Sequence, residues 1–251
     1  MKALITGASS GLGADFARIL SAKGYDLILV ARRKKKMEAL AKELNTKVEI
    51  IELDISSTYN CMKLYDKVKK EKIDILINNA GFGLFGKFDE TKLDTELDMI
   101  DLNIKTVHTL TKLFLKDFKK RGYGYILNVA SAAAFLPGPL MSTYYATKVY
   151  LLHLTLAIKE ELKKDNSNVY IGALCPGPVD TEFNKVAKVK FTVKSLSSEY
   201  VTKYAIDKMF KKKMIIIPGT TTRFAIYFSK ILPMNIKLSI SYRLQKSKDN
   251  R

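Results

Sequence analysis

The sequence predicts an α/β fold in which a doubly wound parallel sheet of about seven strands carries helices on both faces. Two observations predict it. Seven short apolar runs recur along the chain, and segments with apolar residues at i, i+3 and i+4 separate them. Strands that are buried on both faces have this run-like composition. A repeated strand–helix–strand order favours parallel strands joined by right-handed crossovers.

Each apolar run has the length of one buried strand. In chain order the runs are 3–6, 26–31, 48–53, 73–78, 125–130, 169–174 and 214–217. Helical spacing is clearest at Leu151, Leu154, Ile158 and Leu162, and a further helix is predicted over about 197–211. We therefore place one domain over residues 1–220, followed by a basic, apolar C-terminal extension over 221–251.

Composition excludes several classes of protein. Of 251 residues, 47% are hydrophobic and 27% are charged, which is ordinary for a globular chain and not for a disordered one. No run of 18 apolar residues is present, so we expect no spanning helix. The apolar run after Met1 is too short for a secretory signal. Two cysteines, Cys61 and Cys175, are too few for a disulfide framework or a zinc cluster, so we expect a reducing, cytoplasmic location and no metal site.

The net charge of +18 is unevenly distributed. Residues 184–251 hold 16 basic and 3 acidic side chains, whereas residues 1–183 hold 27 and 22. A basic segment can meet nucleic acid, an anionic membrane or an acidic ligand, or it can simply be a solvated surface. The segment has no stacking platform and no recognition-helix motif, so we expect no nucleic-acid partner.

The period of the extension is ambiguous. Phe224, Tyr227, Phe228 and Ile231 have helical spacing, but residues 234–244 alternate apolar and polar as a strand would. If 234–244 is helical, its apolar residues fall on two nearly opposite faces. We therefore expect a helical extension that packs against the body or a partner subunit, with weak peripheral membrane contact as the alternative.

A glycine-rich turn lies between the first predicted strand and the first predicted helix. It contains Gly7, Gly11 and Gly13 after Thr6. Glycine allows positive φ and close approach of a diphosphate, and the free N–H groups at the start of the helix attract that anion. The turn therefore predicts a dinucleotide site.

Further motifs follow in a fixed order. They are Asp54-Ile55 after the third run, Asn78-Asn79-Ala80-Gly81 after the fourth, Asn103 in the next helix, Ser131 after the fifth, Tyr144-x-x-x-Lys148 thirteen residues later, and Pro176-Gly177-Pro178-Val179-x-Thr181 after the sixth. With the glycine turn, this set resembles the short-chain dehydrogenase/reductase family over residues 2–219, in particular its NADP-preferring broad oxidoreductase subgroup. The resemblance implies a Rossmann-like sheet and a nicotinamide cofactor.

The resemblance also implies the residues that hold the cofactor. They are Gly7, Ser9, Ser10, Gly11, Leu12, Gly13, Arg32, Arg33, Asp54, Ile55, Asn79, Ala80, Gly81, Tyr144, Lys148, Pro176, Gly177, Val179 and Thr181. Asn78 is expected to serve the sheet more than the cofactor.

Four residues are expected to be catalytic. Tyr144 is the general acid and base of carbonyl reduction. Lys148 lies one helical turn away at i+4, and its charge is expected to lower the tyrosine pKa. Ser131 is expected to donate a hydrogen bond to the substrate oxygen. By resemblance, Asn103 holds a water that links Lys148 to solvent.

The end of the second run predicts NADP(H). An NAD-selective chain commonly places an acid there, but Ala31 is followed by Arg32 and Arg33. A guanidinium pairs with the 2′-phosphate, and Ser9 could add a hydroxyl contact. Arg32 resembles the family's selecting position.

The sequence therefore predicts an NADP(H)-dependent oxidoreductase that interconverts a carbonyl and an alcohol. A non-catalytic NADP-binding sensor or scaffold is the alternative. By resemblance, the small-molecule substrate binds in a pocket formed by segments 132–143 and 182–194. The second segment belongs to a substrate-loop region over 182–212. Apolar residues there suggest an apolar pocket: Phe135, Leu136, Leu140, Met141, Phe183, Val186 and Phe191. The resemblance also implies a homodimer or homotetramer paired through the helices that contain Asn103 and Tyr144.

Overall fold

The computed structural model describes residues 1–183, Ala187 and residues 195–247. Its main sheet has seven strands, all parallel: β1 Lys2–Thr6, β2 Asp26–Ala31, β3 Val48–Glu52, β4 Ile75–Asn78, β5 Tyr125–Val129, β6 Tyr170–Leu174 and β9 Ile215–Ile216. Their spatial order is β3-β2-β1-β4-β5-β6-β9. The short strands β7 Val179–Asp180 and β8 Leu196–Ser197 form a separate parallel pair. The predicted fold class is confirmed.

Helices cover both faces of the sheet. They are α1 Gly11–Ala22, α2 Lys34–Ala41, α3 Thr58–Val68, α4 Leu93–Ile100, α5 Val107–Arg121, α6 Ser142–Lys164, α7 Ser198–Phe210, α8 Thr220–Ile231 and α9 Met234–Lys246. A π-helical turn, Asp101–Thr106, joins α4 to α5, and a 3₁₀ turn, Ala132–Phe135, follows β5. One core packs α1, α2 and α7 on the sheet, and the other packs α3, α5 and α6 on its opposite face.

Strand alternation explains why both faces are buried. Along β1, Ala3 and Ile5 join the core under α1, whereas Leu4 joins the core under α5. All three side chains are fully buried. An uninterrupted apolar run is therefore required, because each successive residue faces a different helical layer.

The order of the strands reverses between β1 and β4. Such a switch point opens a crevice at the carboxyl ends of the strands, where ligands of open α/β sheets bind. Six of the predicted site segments follow carboxyl ends: the glycine turn after β1, Arg32 after β2, Asp54 after β3, Asn79 after β4, Ser131 after β5 and Pro176 after β6. Asn103 lies instead in the π-helical turn, and Tyr144 and Lys148 lie in α6.

The C-terminal extension is helical over Thr220–Ile231 and Met234–Lys246, so the predicted helical extension is confirmed and the alternation in 234–244 does not mark a strand. Leu232 is extended and Pro233 precedes the first turn of α9, which separates α9 from α8. None of the helices in the described part of the chain is long and apolar enough to cross a membrane. The predicted pocket residues Val186 and Phe191 lie outside the described residues.

Candidate active site

The glycine-rich turn has the geometry of an anion cradle. Gly7 and Gly11 have φ of +66° and +52°, a region that favours glycine. A Cβ at Gly13 would lie 2.2 Å from the carbonyl oxygen of Gly7, so only glycine lets α1 begin this close to β1. Ser10, the N-cap, makes no side-chain capping bond. The start of α1 is therefore open to the oxygens of a phosphate.

Asn79 holds this turn in place. Its side-chain amide donates to the carbonyl oxygens of Thr6 and Gly7 at 3.0 and 3.2 Å. The Thr6 hydroxyl accepts from the backbone N–H groups of Asn79 and Ala80. Asn79 thus contributes to the predicted cofactor site by fixing the position of the glycine turn.

Asn78 serves the sheet, as expected. Its side-chain amide donates to Asn128 Oδ1 at 2.8 Å and to Thr111 Oγ1 at 3.0 Å, and all three residues are buried. The bonds join β4 to β5 and α5, below the crevice.

The cations after β2 converge on the glycine turn. Arg33 donates to Ser9 Oγ at 2.9 and 3.1 Å and to Ser10 Oγ at 2.7 Å. The Arg32 side chain is 72% exposed, and its Nη1 lies 3.5 Å from Asp54 Oδ2. The Arg33 guanidinium therefore contacts the glycine turn, whereas the Arg32 side chain extends into solvent.

Glu182 occupies the same basic cluster, which sequence reasoning missed. Its carboxylate accepts from Arg33 Nη1 at 2.7 Å and pairs with Lys36. Hydrogen bonds from Lys36 and Arg33 lower the pKa of Glu182 to about 2. The cluster thus places two cations, Arg33 and Lys36, around one carboxylate. The sequence signal is slight: a single acid directly after Thr181.

The loops after β3 and β6 close the crevice. Ile55 is buried, and its carbonyl oxygen accepts from the Thr106 hydroxyl. Thr181 lies beside the glycine turn. A Cβ built on Gly11 would be 3.1 Å from the Thr181 Cβ. Pro176 accepts a backbone bond from Ala132 at 2.8 Å, which ties the Pro-Gly loop to the segment after Ser131.

The remaining predicted cofactor residues lie on these same loops. Leu12 and Gly13 are in the first turn of α1, Ala80 and Gly81 follow β4, and Gly177 and Val179 follow Pro176.

Ser131, Tyr144 and Lys148 meet at the carboxyl end of β5. Tyr144 is 9% exposed, and the nearby Ser131 side chain acts to lower its pKa. Lys148 Nζ lies 5.7 Å from the centre of the Tyr144 ring and donates to the Val129 carbonyl oxygen at 3.0 Å. The Ser131 hydroxyl also accepts from Ala133 N at 3.1 Å, which fixes its position.

Burial controls the pKa of both titratable residues. It raises the pKa of Tyr144, and the Ser131 side chain opposes it only in part. Burial lowers the pKa of Lys148 to about 8. In the chain alone the net shift of the Tyr144 pKa is therefore upward, opposite to the lowering expected from Lys148. The ammonium lies over the ring, and desolvation of the phenolate dominates.

Asn103 is fully buried in the π-helical turn. Its Oδ1 accepts from Phe82 N at 3.1 Å, and its Nδ2 donates to Phe82 O at 2.9 Å and to Thr147 Oγ1 at 3.1 Å. The side chain thus holds the loop after β4 against α6. A Cβ on Gly81 would lie 3.6 Å from Lys148 Nζ, so this loop lines the lysine. π-Helical turns often occur at functional sites.

Apolar side chains surround Tyr144. Met99, Ala133, Met141 and Ala187 are buried beside it, with Phe82, Leu84, Phe85, Tyr145 and Phe183 packed around them. The ring of Phe183 lies 5.4 Å from that of Tyr144. The residues expected to form an apolar pocket are only partly brought together: Met141 and Phe183 are in this cluster, whereas Phe135 packs in the core under α8.

The C-terminal helix also reaches this region, through contacts that the sequence analysis did not identify. Gln245 Nε2 donates to the Tyr145 hydroxyl, and Ser241 Oγ donates to the Pro137 carbonyl oxygen at 2.9 Å. The two polar residues are buried and lie four apart. Two polar residues four apart in an apolar and basic segment were the sequence signal that could have predicted this contact.

The chain is similar to known proteins over most of its length. Residues 1–190 match the family model described as short chain dehydrogenase. An uncharacterized oxidoreductase of Staphylococcus epidermidis is 34% identical over 71% of this chain and 78% of its own length. The human very-long-chain 3-oxoacyl-CoA reductase is 28% identical over 99% of this chain and 83% of its own. Among solved structures, a short-chain dehydrogenase from Sphingobium yanoikuyae in complex with NADPH has a TM-score of 0.82 and 29% identity, covering 91% of this chain and 92% of that one.

Proposed function

The chain belongs to the short-chain dehydrogenase/reductase family, and on that premise we propose that it is an NADP(H)-dependent oxidoreductase that interconverts a carbonyl and a primary or secondary alcohol. One observation carries the proposal: Ser131, Tyr144 and Lys148 meet beside a glycine turn whose Ser9 and Ser10 are bonded by Arg33.

The residues present fit a phosphorylated dinucleotide. The open start of α1 and the positive φ of Gly7 and Gly11 suit the diphosphate. Arg33 and Arg32 suit the 2′-phosphate, because a guanidinium binds phosphate oxygens in a fork. The NADPH complex of the Sphingobium dehydrogenase supports the same cofactor for this chain.

The chain's own residues supply proton transfer and orientation. When bound, the nicotinamide supplies or takes up the hydride. The raised pKa keeps the Tyr144 phenol protonated at neutral pH, ready to donate to a carbonyl oxygen that gains charge. Ser131 donates a second hydrogen bond to that oxygen. A charged Lys148 stabilises the tyrosinate that remains.

The surroundings of Tyr144 favour an apolar substrate. The side chains packed around its hydroxyl-bearing ring are almost all apolar, including Met141 and Phe183. The human relative is a very-long-chain 3-oxoacyl-CoA reductase, which adds a 3-oxoacyl thioester to apolar ketones as a candidate for this chain. We also propose a homodimer or homotetramer that pairs through the helical segments containing Asn103 and Tyr144.

A substrate screen tests the function. Aliphatic, bulky aromatic and steroid-like ketones, aldehydes and a 3-oxoacyl thioester are offered with NADPH and, separately, with NADH, and loss of nicotinamide absorbance is measured against the Tyr144→Phe variant. We expect turnover of apolar carbonyls with NADPH. A protein that binds NADPH but turns over nothing in the panel would favour the sensor or scaffold alternative.

A further inference from the structure

The two C-terminal helices present their apolar side chains to solvent. Ten large apolar residues between 224 and 244 are exposed by 37% to 76%. They are Phe224, Tyr227, Phe228, Ile231, Met234, Ile236, Leu238, Ile240, Tyr242 and Leu244. We call this the α8–α9 surface. Most of these residues therefore do not pack against the body of the same chain, which was one of the two expected arrangements, and their packing against a partner subunit stays a prediction.

Helix α8 is amphipathic with its apolar stripe outward. Phe224, Tyr227, Phe228 and Ile231 have the spacing of one helical face, and Ile226, on the opposite side, is buried in the core. The rings of Phe224 and Phe228 stack at 6.2 Å. A stripe of this kind has no protein partner within the described chain that covers it.

Helix α9 is attached to the body through polar groups. Ser241 bonds to Pro137 and Gln245 to Tyr145, and both side chains are buried. Ile236, Ile240 and Leu244 recur every four residues and remain exposed. The attachment fixes α9 and leaves its apolar residues outside.

The charge of the surface has a single sign. Residues 221–247 hold five cations, at Arg223, Lys230, Lys237, Arg243 and Lys246, and no acid. Lys230 Nζ lies 5.3 Å from the ring centre of Tyr227, at the edge of the stripe. Pairing this surface with itself in a second copy would bring like charges together. An apolar surface with cationic flanks instead matches anionic lipid.

We propose that the α8–α9 surface docks on an anionic membrane surface, with both helices lying in the plane of the headgroups. Phe224, Phe228 and Ile231 enter the acyl boundary, and Lys230, Arg243 and Lys246 meet the lipid phosphates. The proposal concerns where the protein sits, and it does not depend on the proposed activity.

Sedimentation with lipid vesicles tests the proposal. The full chain is mixed with vesicles of phosphatidylcholine alone or with about one third phosphatidylglycerol, at low salt and at about 0.5 M salt. We expect the protein to sediment with the anionic vesicles only, and less at high salt. Binding to both vesicle types alike, or to neither, would overturn the proposal.

Matched variants distinguish binding through the α8–α9 surface from nonspecific binding to vesicles. Phe224→Ser, Phe228→Ser and Ile231→Ser together, or Lys230→Gln, Arg243→Gln and Lys246→Gln together, should each reduce binding about tenfold or more. Tyr59→Ser, Phe88→Ser and Leu93→Ser remove equally exposed apolar groups elsewhere and should leave binding unchanged. Circular dichroism confirms folding of each variant.

A second copy is the competing occupant. The proposal fails if two results occur together: the native protein does not bind anionic vesicles, and light scattering shows a dimer for the native protein but a monomer for the triple serine variant. The surface is then a subunit interface. Equal loss of vesicle binding in the control variant would also overturn the proposal.

Discussion

The ammonium of Lys148 lies 5.7 Å from the centre of the Tyr144 ring, one helical turn along α6, and its described hydrogen bond goes to a backbone carbonyl, that of Val129. No ion pair between Lys148 and a carboxylate occurs among the described residues. A buried cation without an acid is costly to a protein, and burial accordingly lowers the pKa of Lys148 to about 8. The buried charge of Lys148 therefore lowers the free energy of unfolding.

The first prediction concerns that cost. The folded-state pKa lies below the unfolded value of about 10.4, so the unfolded chain binds more protons between about pH 8 and 10.5. Unfolding free energy should rise with pH across that window, and the full penalty is present below about pH 8. Lys148→Met removes the buried charge but also loses a hydrogen bond, which costs about 1 kcal/mol. The net effect should be an increase of about 1–2 kcal/mol in the unfolding free energy at pH 7.

Urea denaturation of both proteins without cofactor, at pH 7 and pH 10, measures the effect. The advantage of Lys148→Met should shrink toward pH 10. A difference that stays constant with pH would show that Lys148 is not the buried cation responsible.

The second prediction concerns cofactor choice. Arg33→Ala removes the guanidinium that bonds to Ser9 and Ser10, so we expect NADPH affinity to fall about ten- to a hundredfold and NADH affinity much less. Arg32→Ala should also weaken NADPH binding more than NADH binding, but by a smaller factor, because the Arg32 side chain is largely exposed. Titration of both variants and the native protein with each cofactor gives the values. Equal NADPH and NADH curves for the native protein contradict the assignment.

The third prediction concerns Glu182, whose carboxylate shares Arg33 and Lys36 with the site proposed for the 2′-phosphate. Removing a competing anion should help the phosphate bind. Because the ion pair is substantially exposed, the gain should be modest, up to about fivefold in NADPH affinity for Glu182→Gln, with NADH unchanged. Glu49→Gln, which removes another exposed ion-paired carboxylate, is the control. Weaker NADPH binding in Glu182→Gln would mean that the acid organises the site instead of competing for it.

Local pattern was enough to predict the sheet and the site motifs, because each strand is one apolar run and most of the motifs follow the carboxyl end of a strand. It could not decide the state of 234–244, where apolar residues alternate yet the segment is a helix held by Ser241 and Gln245. Contacts between distant parts of the chain were equally out of reach. Glu182 meets Arg33 across 149 residues, and the burial that sets the pKa of Tyr144 depends on side chains from several elements.

The central claim is that Tyr144 donates the proton in carbonyl reduction. Tyr145 is the matched control, since its ring is adjacent and its hydroxyl bonds to Gln245 away from Ser131. Both are changed to phenylalanine, which keeps the packing and removes only the hydroxyl.

The decisive measurement is the rate of NADPH oxidation at saturating cofactor, with the carbonyl compound that the native protein turns over fastest, alongside NADPH binding to each variant. We expect Tyr144→Phe to lose about 10²–10⁴-fold in turnover while its NADPH affinity stays within about twofold, and Tyr145→Phe to keep substantial activity. Normal turnover by Tyr144→Phe would contradict the account.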